Sequence, residues 1–319
     1  MRNYLKTMAA WKQLLLFIGM AIGILLIFSF IGTMVLSGIT GIPLLQIADE
    51  SKWDFSNPRL IDFLLGMQFI QFLGLFLIPS LLFGYLSAPH PLHHLGFKKA
   101  DNGVFYLLGL LLLLVSFPLV EQIGVWNRMI QFPPSMAKWI REKEDSAARI
   151  IEFMLSKHSV KALLMNIIFI AGLAAFGEEL FFRGVLQRIF IRMFKNPWAG
   201  IIITAFLFSA IHMQFYGFLP RFLLGIFLGL IYWYSGSLWP AILAHFIYDA
   251  SLITLAYFHP EMIKEESTGV LSNYQLIIPA IISLIFTLAI VRLMKKKSTI
   301  SYEKIYADDY KPPDPFEFE

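Results

Sequence analysis

The apolar positions of this chain gather into long runs separated by short charged loops. Eight runs approach the roughly 20 apolar residues that a helix needs to cross a bilayer. Their leucine, isoleucine and phenylalanine positions do not alternate with polar ones, as they would in an outer-membrane barrel. The pattern therefore predicts membrane-spanning helices at about 13–39, 60–86, 103–125, 161–183, 198–214, 219–235, 238–258 and 275–294. The fifth and sixth runs are short and lie close together.

The composition agrees with this pattern. Hydrophobic residues make up 57% of the chain and charged residues 15%, which is typical of a polytopic membrane protein rather than a soluble globule. The chain has no cysteine, so disulfides, thiolate metal sites and thiol catalysis are excluded. Basic residues are not interleaved with aromatic ones in a stripe, so we predict no nucleic-acid partner. The predicted fold class is an all-α, polytopic transmembrane bundle of about eight spans.

The basic residues indicate how the bundle is oriented. Arg2, Lys6 and Lys12 precede the first run, which is too long for a signal-peptide core and is interpreted as a retained anchor. Cytoplasmic loops carry an excess of lysine and arginine, which favours a cytoplasmic N-terminus. Alternation then places these further basic residues inside: Lys98, Lys99, Arg188, Arg192, Lys195, Lys295, Lys296 and Lys297. Both termini are predicted in the cytoplasm, with Glu261, Glu265 and Glu266 outside. One mixed-charge segment, 126–160, disagrees, because alternation places its basic residues outside.

Four segments follow from these patterns. Residues 1–160 form N-terminal transmembrane helices that end, at 130–160, in an amphipathic stretch typical of a membrane interface. Residues 161–258 form a membrane core, and 259–297 contain the last span. Residues 298–319 are acidic, contain prolines and lack helical periodicity, so we predict a disordered cytoplasmic tail.

Two adjacent carboxylates, Glu178 and Glu179, follow the charge-free stretch 162–176. Ionisable side chains at membrane depth are costly, usually face a protein interior or a polar cavity, and tend to be functional. Glu179 and Arg183 are four residues apart on a helix and can pair, which leaves Glu178 without an obvious local partner. The alternative is a helix that has just left the membrane and carries an ordinary surface charge cluster.

Two later runs also carry polar residues at helical spacing. Phe208 and His212 are four residues apart, as are His245 and Asp249, so each pair shares one helix face. A single intramembrane histidine is often a packing residue, and a histidine–aspartate pair can simply satisfy itself. Ionisable groups on three neighbouring helices instead favour one shared polar site.

Three patterns in this order resemble the motifs of the CPBP family: Glu178-Glu179-x-x-x-Arg183, Phe208-x-x-x-His212 and His245-x-x-x-Asp249. That family joins the type II CAAX prenyl endopeptidases with bacteriocin-processing and abortive-infection (Abi) proteins. The resemblance covers roughly residues 161–255. It implies an endopeptidase in a bacterial inner (plasma) membrane that acts on a membrane-embedded or lipid-anchored peptide or protein.

The resemblance also implies roles for the motif residues. Glu178 would be the general base that activates a water molecule, and His212 would hold and polarise that water. His245 would face the developing oxyanion. The last motif often ends in asparagine; here Asp249 would orient His245, because an ionised carboxylate cannot donate to an oxyanion. The remaining motif residues would orient the helices: Glu179, Arg183 and Phe208.

Metal dependence stays open at this point. Members of the family are often called metalloproteases, and Glu178, His212 and His245 could form a three-ligand zinc site with an open position. None of the motifs, however, places two histidines on one helix as HExxH does, and a glutamate base assisted by histidine needs no metal. We favour metal-independent glutamate chemistry over zinc.

Two other classes of function compete with a peptidase. A non-catalytic immunity or scaffold protein could keep the same fold, although it would have little reason to retain buried charges. A proton-coupled transporter could use the same carboxylates, but the chain shows no inverted repeats and no broken-helix signals. The absence of HExxH argues against a site-2-type zinc protease, and the absence of a Gly-x-Ser-x-Gly or similar nucleophile motif in a span argues against a rhomboid protease.

The depths of the motif residues conflict if the spans are straight. At 1.5 Å per residue, Glu178 lies about 25 Å from the outer-side Lys161, and His212 lies about 21 Å from the inner-side Trp198. Glu178 would then be near the cytoplasmic face and His212 nearer the outer one. The residues can meet only if spans are tilted, offset or broken.

Overall fold

The computed structural model describes residues 4–5, 7–260 and 277–306, and no β-strand occurs within them. The helices, in chain order, are α1 (Ala10–Thr40), α2 (Leu44–Ile47), α3 (Arg59–Ser87), α4 (Pro91–His94), α5 (Val104–Arg128), α6 (Pro134–Leu155), α7 (Val160–Phe194), α8 (Pro197–Ala210), α9 (Phe218–Ser235), α10 (Leu238–Phe258), α11 (Ile277–Lys297) and α12 (Tyr302–Tyr306). A short 3₁₀ turn, Glu50–Lys52, follows α2. The all-α class predicted from the apolar runs is confirmed.

Within the described residues, seven helices are long and apolar enough to cross a membrane: α1, α3, α5, α7, α9, α10 and α11. They correspond to seven of the predicted spans. The predicted fifth span, 198–214, differs because α8 has 14 residues and ends at Ala210. At 1.5 Å per residue α8 is about 21 Å long, which is short of the roughly 30 Å hydrocarbon core.

The local sequence explains where α8 begins and ends. The side chain of Asn196 accepts hydrogen bonds from two backbone N–H groups of the first turn, and Pro197 fills the first helical position. At the other end the chain turns at Met213, whose φ of 53° lies in the left-handed region. His212 therefore lies in a turn beyond α8, whereas the sequence predicted it on the same helix as Phe208.

The longest helix, α7, has 35 residues and a length of about 52 Å, which exceeds the thickness of a hydrocarbon core. It contains two π-helical segments, Ile167–Gly172 and Glu179–Gln187. Such segments are rare and occur frequently at functional sites. The second one begins at Glu179, so the adjacent glutamates lie where the helix changes its geometry.

The core of the bundle is built around α7. Leu180, Phe182 and Val185 in its π segment are buried, and the helix contacts α1, α3, α8, α9 and α10. On the far side, α5 packs against α9, α10 and α11. The polar face of α7 is thus enclosed by neighbouring helices rather than turned toward lipid.

Several basic loops gather at one end of the bundle. Ser298 Oγ donates to Tyr234 O at 2.7 Å, and the Asp101 N–H donates to Ser235 O at 3.2 Å, so the ends of α9 and α11 lie beside the loop that precedes α5. The Leu5 N–H donates at 3.1 Å to a carbonyl near the end of α3, which brings the start of the chain to the same end. The side of the membrane that this end faces stays a prediction. These residues of the charge argument lie outside the described residues: Arg2, Lys6, Glu261, Glu265 and Glu266.

The amphipathic helix predicted near 130–160 is α6. Its Ile140 and Met154 are buried, whereas Arg141 and Lys143 are exposed. The helix contacts α3, α7 and α10, so it packs on the bundle. Its position at a membrane surface stays a prediction.

The predicted disordered tail differs from the structure over its first residues. Ile300 packs beside Gly236, where an added Cβ would lie 2.8 Å from Ile300 Cδ1, and Tyr302–Tyr306 form a short helix. An apolar side chain thus anchors the segment to the end of α9. Residues 307–319 lie outside the described residues, and the prediction for them stays untested.

Gly200 of α8 lies against the backbone of α7. A Cβ at this position would be 2.8 Å from Ile191 N and 3.1 Å from Ile191 Cα, so the helices would have to separate. Overpacking of this kind costs about 1–3 kcal/mol. We expect Gly200→Ala to lower the thermal-unfolding midpoint of the purified protein in detergent. The control is Gly23→Ala in α1, where a Cβ meets no atom within 4 Å, and its midpoint should not fall. Equal midpoints for the two variants would contradict the close packing.

Candidate active site

Glu179 binds two donors in the centre of the bundle. Its Oε1 accepts from Arg183 Nη1 at 2.6 Å and from His245 Nδ1 at 2.9 Å, and the side chains of Glu179 and Arg183 are fully buried. The predicted Glu179–Arg183 pair is confirmed. The bond to His245 joins α7 to α10, and it could not be read from the sequence because residue spacing relates only positions within one helix.

Two polar side chains of α7 also bind the backbone of α9. Arg183 Nη2 donates to Gly225 O at 3.1 Å, and one turn further Gln187 Nε2 donates to Gly229 O at 3.1 Å. The glycines permit this approach: a Cβ at Gly229 would lie 2.9 Å from Gln187 Oε1. Small residues allow close contact between membrane helices in this way. The helix that carries both glutamates is therefore fixed to α9 as well as to α10.

His245 faces carboxylate oxygens on both sides of its ring. Its Nδ1 lies beside Glu179, while its Nε2 lies 3.3 Å from Asp249 Oδ2 and 4.0 Å from Glu178 Oε2. A doubly protonated ring would donate through both nitrogens at once. The predicted contact between Asp249 and His245 is present, and Glu178 is the third carboxylate at the same ring.

The four side chains differ in how far solvent can reach them. The exposed fraction of the side chain is 0% for Glu179, 8% for His245, 13% for Glu178 and 30% for Asp249. The accessible edge of the cluster is thus the edge with Glu178 and Asp249. A water molecule can approach Glu178 there, whereas Glu179 is enclosed.

Phe208 connects α8 to this cluster. Its ring centre lies 5.3 Å from the His212 ring, 6.0 Å from the His245 ring and 4.7 Å from Arg183 Cζ, the last a cation–π contact. His212 Nδ1 lies 2.8 Å from Phe208 O, a bond that requires the proton on Nδ1, so Nε2 of the neutral ring is an acceptor. The three motifs therefore meet around one aromatic ring.

The turn that carries His212 is held by residues that the sequence did not single out. Asn127, at the buried end of α5, donates through Nδ2 to Phe215 O at 2.5 Å and accepts at Oδ1 from the Leu219 N–H at 3.0 Å. Glu144 of α6 accepts from the Tyr216 N–H at 2.9 Å. Asn127 lies just beyond the predicted third span, 103–125, and nothing in the sequence showed its partners.

The residues do not fit the zinc site that the sequence left open. Among the described residues, no group of three or more histidine, aspartate or glutamate side chains could hold a metal ion. His245 directs both nitrogens at carboxylates, and His212 uses Nδ1 for Phe208 O. Glu178, His212 and His245 are therefore not arranged as a shared ligand set.

Comparison with known proteins agrees with the resemblance of the motifs. Residues 160–251 match the family model described as type II CAAX prenyl endopeptidase Rce1-like, which confirms the resemblance over that stretch, under a third of the chain. The chain is also 31% identical over 120 residues to the uncharacterized protein YpbD of Bacillus subtilis (strain 168). That alignment covers 36% of this chain and 57% of YpbD. No solved structure shows a significant match.

Loss of the Glu179 charge should destabilise the fold. Glu179→Gln leaves the Arg183 guanidinium buried without its counter-charge, and breaking such a pair costs about 3–5 kcal/mol. We expect a large fall in the thermal-unfolding midpoint in detergent. Glu178→Gln should cause a much smaller change, because Glu178 has only a 4.0 Å contact with His245.

The matched control for Glu179→Gln is Glu142→Gln. It removes the partner of Lys138 in an exposed pair with an N–O distance of 3.9 Å and should change stability by less than about 1 kcal/mol. If Glu179→Gln and Glu142→Gln unfold at the same temperature, the buried pair does not hold the helices together.

The Asn127 contacts should protect the turn that carries His212. Asn127→Ala removes both hydrogen bonds, so we expect roughly tenfold faster amide hydrogen exchange at Leu219 and in the neighbouring turn. Hydrogen–deuterium exchange with mass spectrometry measures this. Asn166→Ala is the control, because Asn166 is buried and donates to Met154 O at 3.1 Å in another part of the bundle. Unchanged exchange at 212–219 in Asn127→Ala would show that Asn127 does not hold the turn.

Proposed function

We propose that this chain is an intramembrane endopeptidase that hydrolyses a peptide bond of a membrane-associated substrate. The observation that carries this proposal is the contrast between the two adjacent glutamates. Glu179 is enclosed and forms hydrogen bonds with Arg183 and His245. Glu178 instead lies at the accessible edge of the cluster, with its Oε2 4.0 Å from His245 Nε2. The family match over residues 160–251 supports the same class of reaction.

In this proposal Glu178 is the general base. A water molecule loses a proton to the Glu178 carboxylate while its oxygen attacks the carbonyl carbon of the scissile bond. The carbonyl oxygen becomes a tetrahedral oxyanion. When the carbon–nitrogen bond breaks, the leaving amine takes the proton back from Glu178, so the side chain returns to its starting state.

The two histidines would complete the site. His212 presents Nε2 as an acceptor, which suits a hydrogen bond from the attacking water. His245 Nε2 lies among carboxylates and would donate to the oxyanion once a substrate carbonyl displaces one of them. Asp249 would keep the ring oriented, a positioning role rather than a direct one.

Glu179 does not suit the role of base in this arrangement. Its Oε1 already accepts two hydrogen bonds, and its side chain is fully buried. Its negative charge offsets the positive charge of Arg183 and supports a proton on His245. The Glu179–Arg183 pair therefore has a structural role, and the neighbouring Glu178 is the proposed base.

Contacts between the helices bring the motifs together. Phe208 lies between the His212 and His245 rings, and His245 Nε2 lies 4.0 Å from Glu178 Oε2, which supports a common site despite the offset expected for straight spans. The substrate would approach laterally through the bilayer or from the end with the basic loops.

Glu178→Gln and His212→Ala should each reduce cleavage at least 100-fold while the protein still inserts, because general acid–base catalysis contributes about 10²–10⁴. Protein termini are compared by mass spectrometry in membranes that contain the wild-type chain, either variant, or Glu142→Gln as the control. The expected result is a terminus that is present with wild type and control and missing with both variants.

Identical sets of termini in all four membranes would contradict the proposal and would favour a non-catalytic scaffold of the same fold. Insertion is checked by the amount of each variant in washed membranes. This measurement distinguishes a variant that has lost catalytic activity from one that is absent from the membrane.

A further inference from the structure

An open groove of about 830 Å³ lies between α7, α10 and the loop that precedes α5. None of Glu178, His212, His245 and Asp249 lines it. A volume of this size is typical of small-molecule sites and holds a headgroup together with part of an acyl chain. The groove is therefore a second concave surface beside the candidate active site.

Aromatic rings form one wall of the groove. Phe97 stacks on Phe176 with ring centres 5.5 Å apart and an interplanar angle of 23°, and Trp239 meets Phe97 edge-on at 5.5 Å. Trp239 and Leu243 are 42% and 38% exposed, so the wall is open to an occupant. Trp239 lies in the first turn of α10, which is the position that tryptophan prefers at a membrane–water boundary.

Two lysines lie where the groove reaches the end of the bundle. Lys98 and Lys99 line it, and among the described residues no carboxylate forms an ion pair with either ammonium group. The loop that carries them is fixed to α10, because Ser237 Oγ donates to Lys98 O at 2.5 Å and the Leu238 N–H donates to Gly96 O at 3.0 Å. The two positive charges are thus held above the aromatic wall without a counter-charge.

We propose that this groove binds an anionic phospholipid, with the phosphate at Lys98 and Lys99 and an acyl chain along the aromatic wall and Leu243. Basic pockets between membrane helices bind anionic headgroups, and each lysine near the surface contributes about fivefold to the affinity. The apolar wall supplies the second half of the site, because its aromatic rings and Leu243 offer an acyl chain packing contacts.

This proposal goes beyond the peptidase proposal and does not depend on it. Native mass spectrometry of the purified full-length chain in detergent tests it, with dioleoyl-phosphatidylglycerol and dioleoyl-phosphatidylcholine as probes. These lipids share acyl chains and differ in net charge. We expect the phosphatidylglycerol to bind at least tenfold more tightly than the phosphatidylcholine.

Two sets of variants distinguish the contribution of the lysine charges to lipid binding from that of the apolar groove. Lys98→Gln with Lys99→Gln should weaken phosphatidylglycerol binding about tenfold or more and leave phosphatidylcholine unchanged. Leu243→Trp fills the groove and should weaken both lipids. The matched control is Lys296→Gln with Lys297→Gln, which removes the same charge from exposed positions at the same end of the bundle and should change binding less than about twofold. Unchanged unfolding midpoints show that each variant keeps its fold.

Three results would overturn the proposal. Equal weakening in the control would show a diffuse surface charge, and unchanged binding in Leu243→Trp would place the lipid elsewhere. Loss of cleavage in Leu243→Trp with lipid binding intact would assign the groove to a peptide substrate.

Discussion

Opposite charges in an apolar interior stabilise a fold only while their remaining donors and acceptors are matched as well. Groups from other helices match part of the pair, whereas Glu179 Oε2 and Arg183 Nε are buried without a hydrogen-bond partner among the described residues. His245 of α10 donates to the carboxylate, the Gly225 carbonyl of α9 accepts from the guanidinium, and Phe208 of α8 covers it. Four helices are thereby joined through two side chains. Through these contacts the pair links residues of all three motifs.

The Glu179–Arg183 pair also explains how a second carboxylate, that of Glu178, can lie next to Glu179 in the bundle. Glu178 has the same chemistry and an adjacent position, but it lies at the last residue before the π segment and faces the accessible edge of His245. Because Arg183 already offsets Glu179, the cluster does not have to bury two uncompensated charges. A structural glutamate and a reactive one can therefore occupy successive residues of one helix.

The sequence predicted those parts of the molecule that depend on spacing within a helix. Apolar runs located the spans, and the four-residue interval predicted the Glu179–Arg183 pair. It did not predict contacts between helices, such as Glu179 with His245 or Asn127 with Phe215, because no periodicity relates positions 66 or 88 residues apart. The end of α8 was also missed, since apolar composition continues through Ile211 and Met213 although the backbone turns there.

The shortness of α8 has a consequence for the bilayer itself. The helix α8 is about 21 Å long and lies beside α7, which is about 52 Å long. A helix shorter than the hydrocarbon core creates a hydrophobic mismatch, and the bilayer accommodates it by becoming locally thinner. The headgroup layer would then dip toward the turn between α8 and α9. Water would reach the level of His212 through this indentation of the membrane, without a channel through the protein.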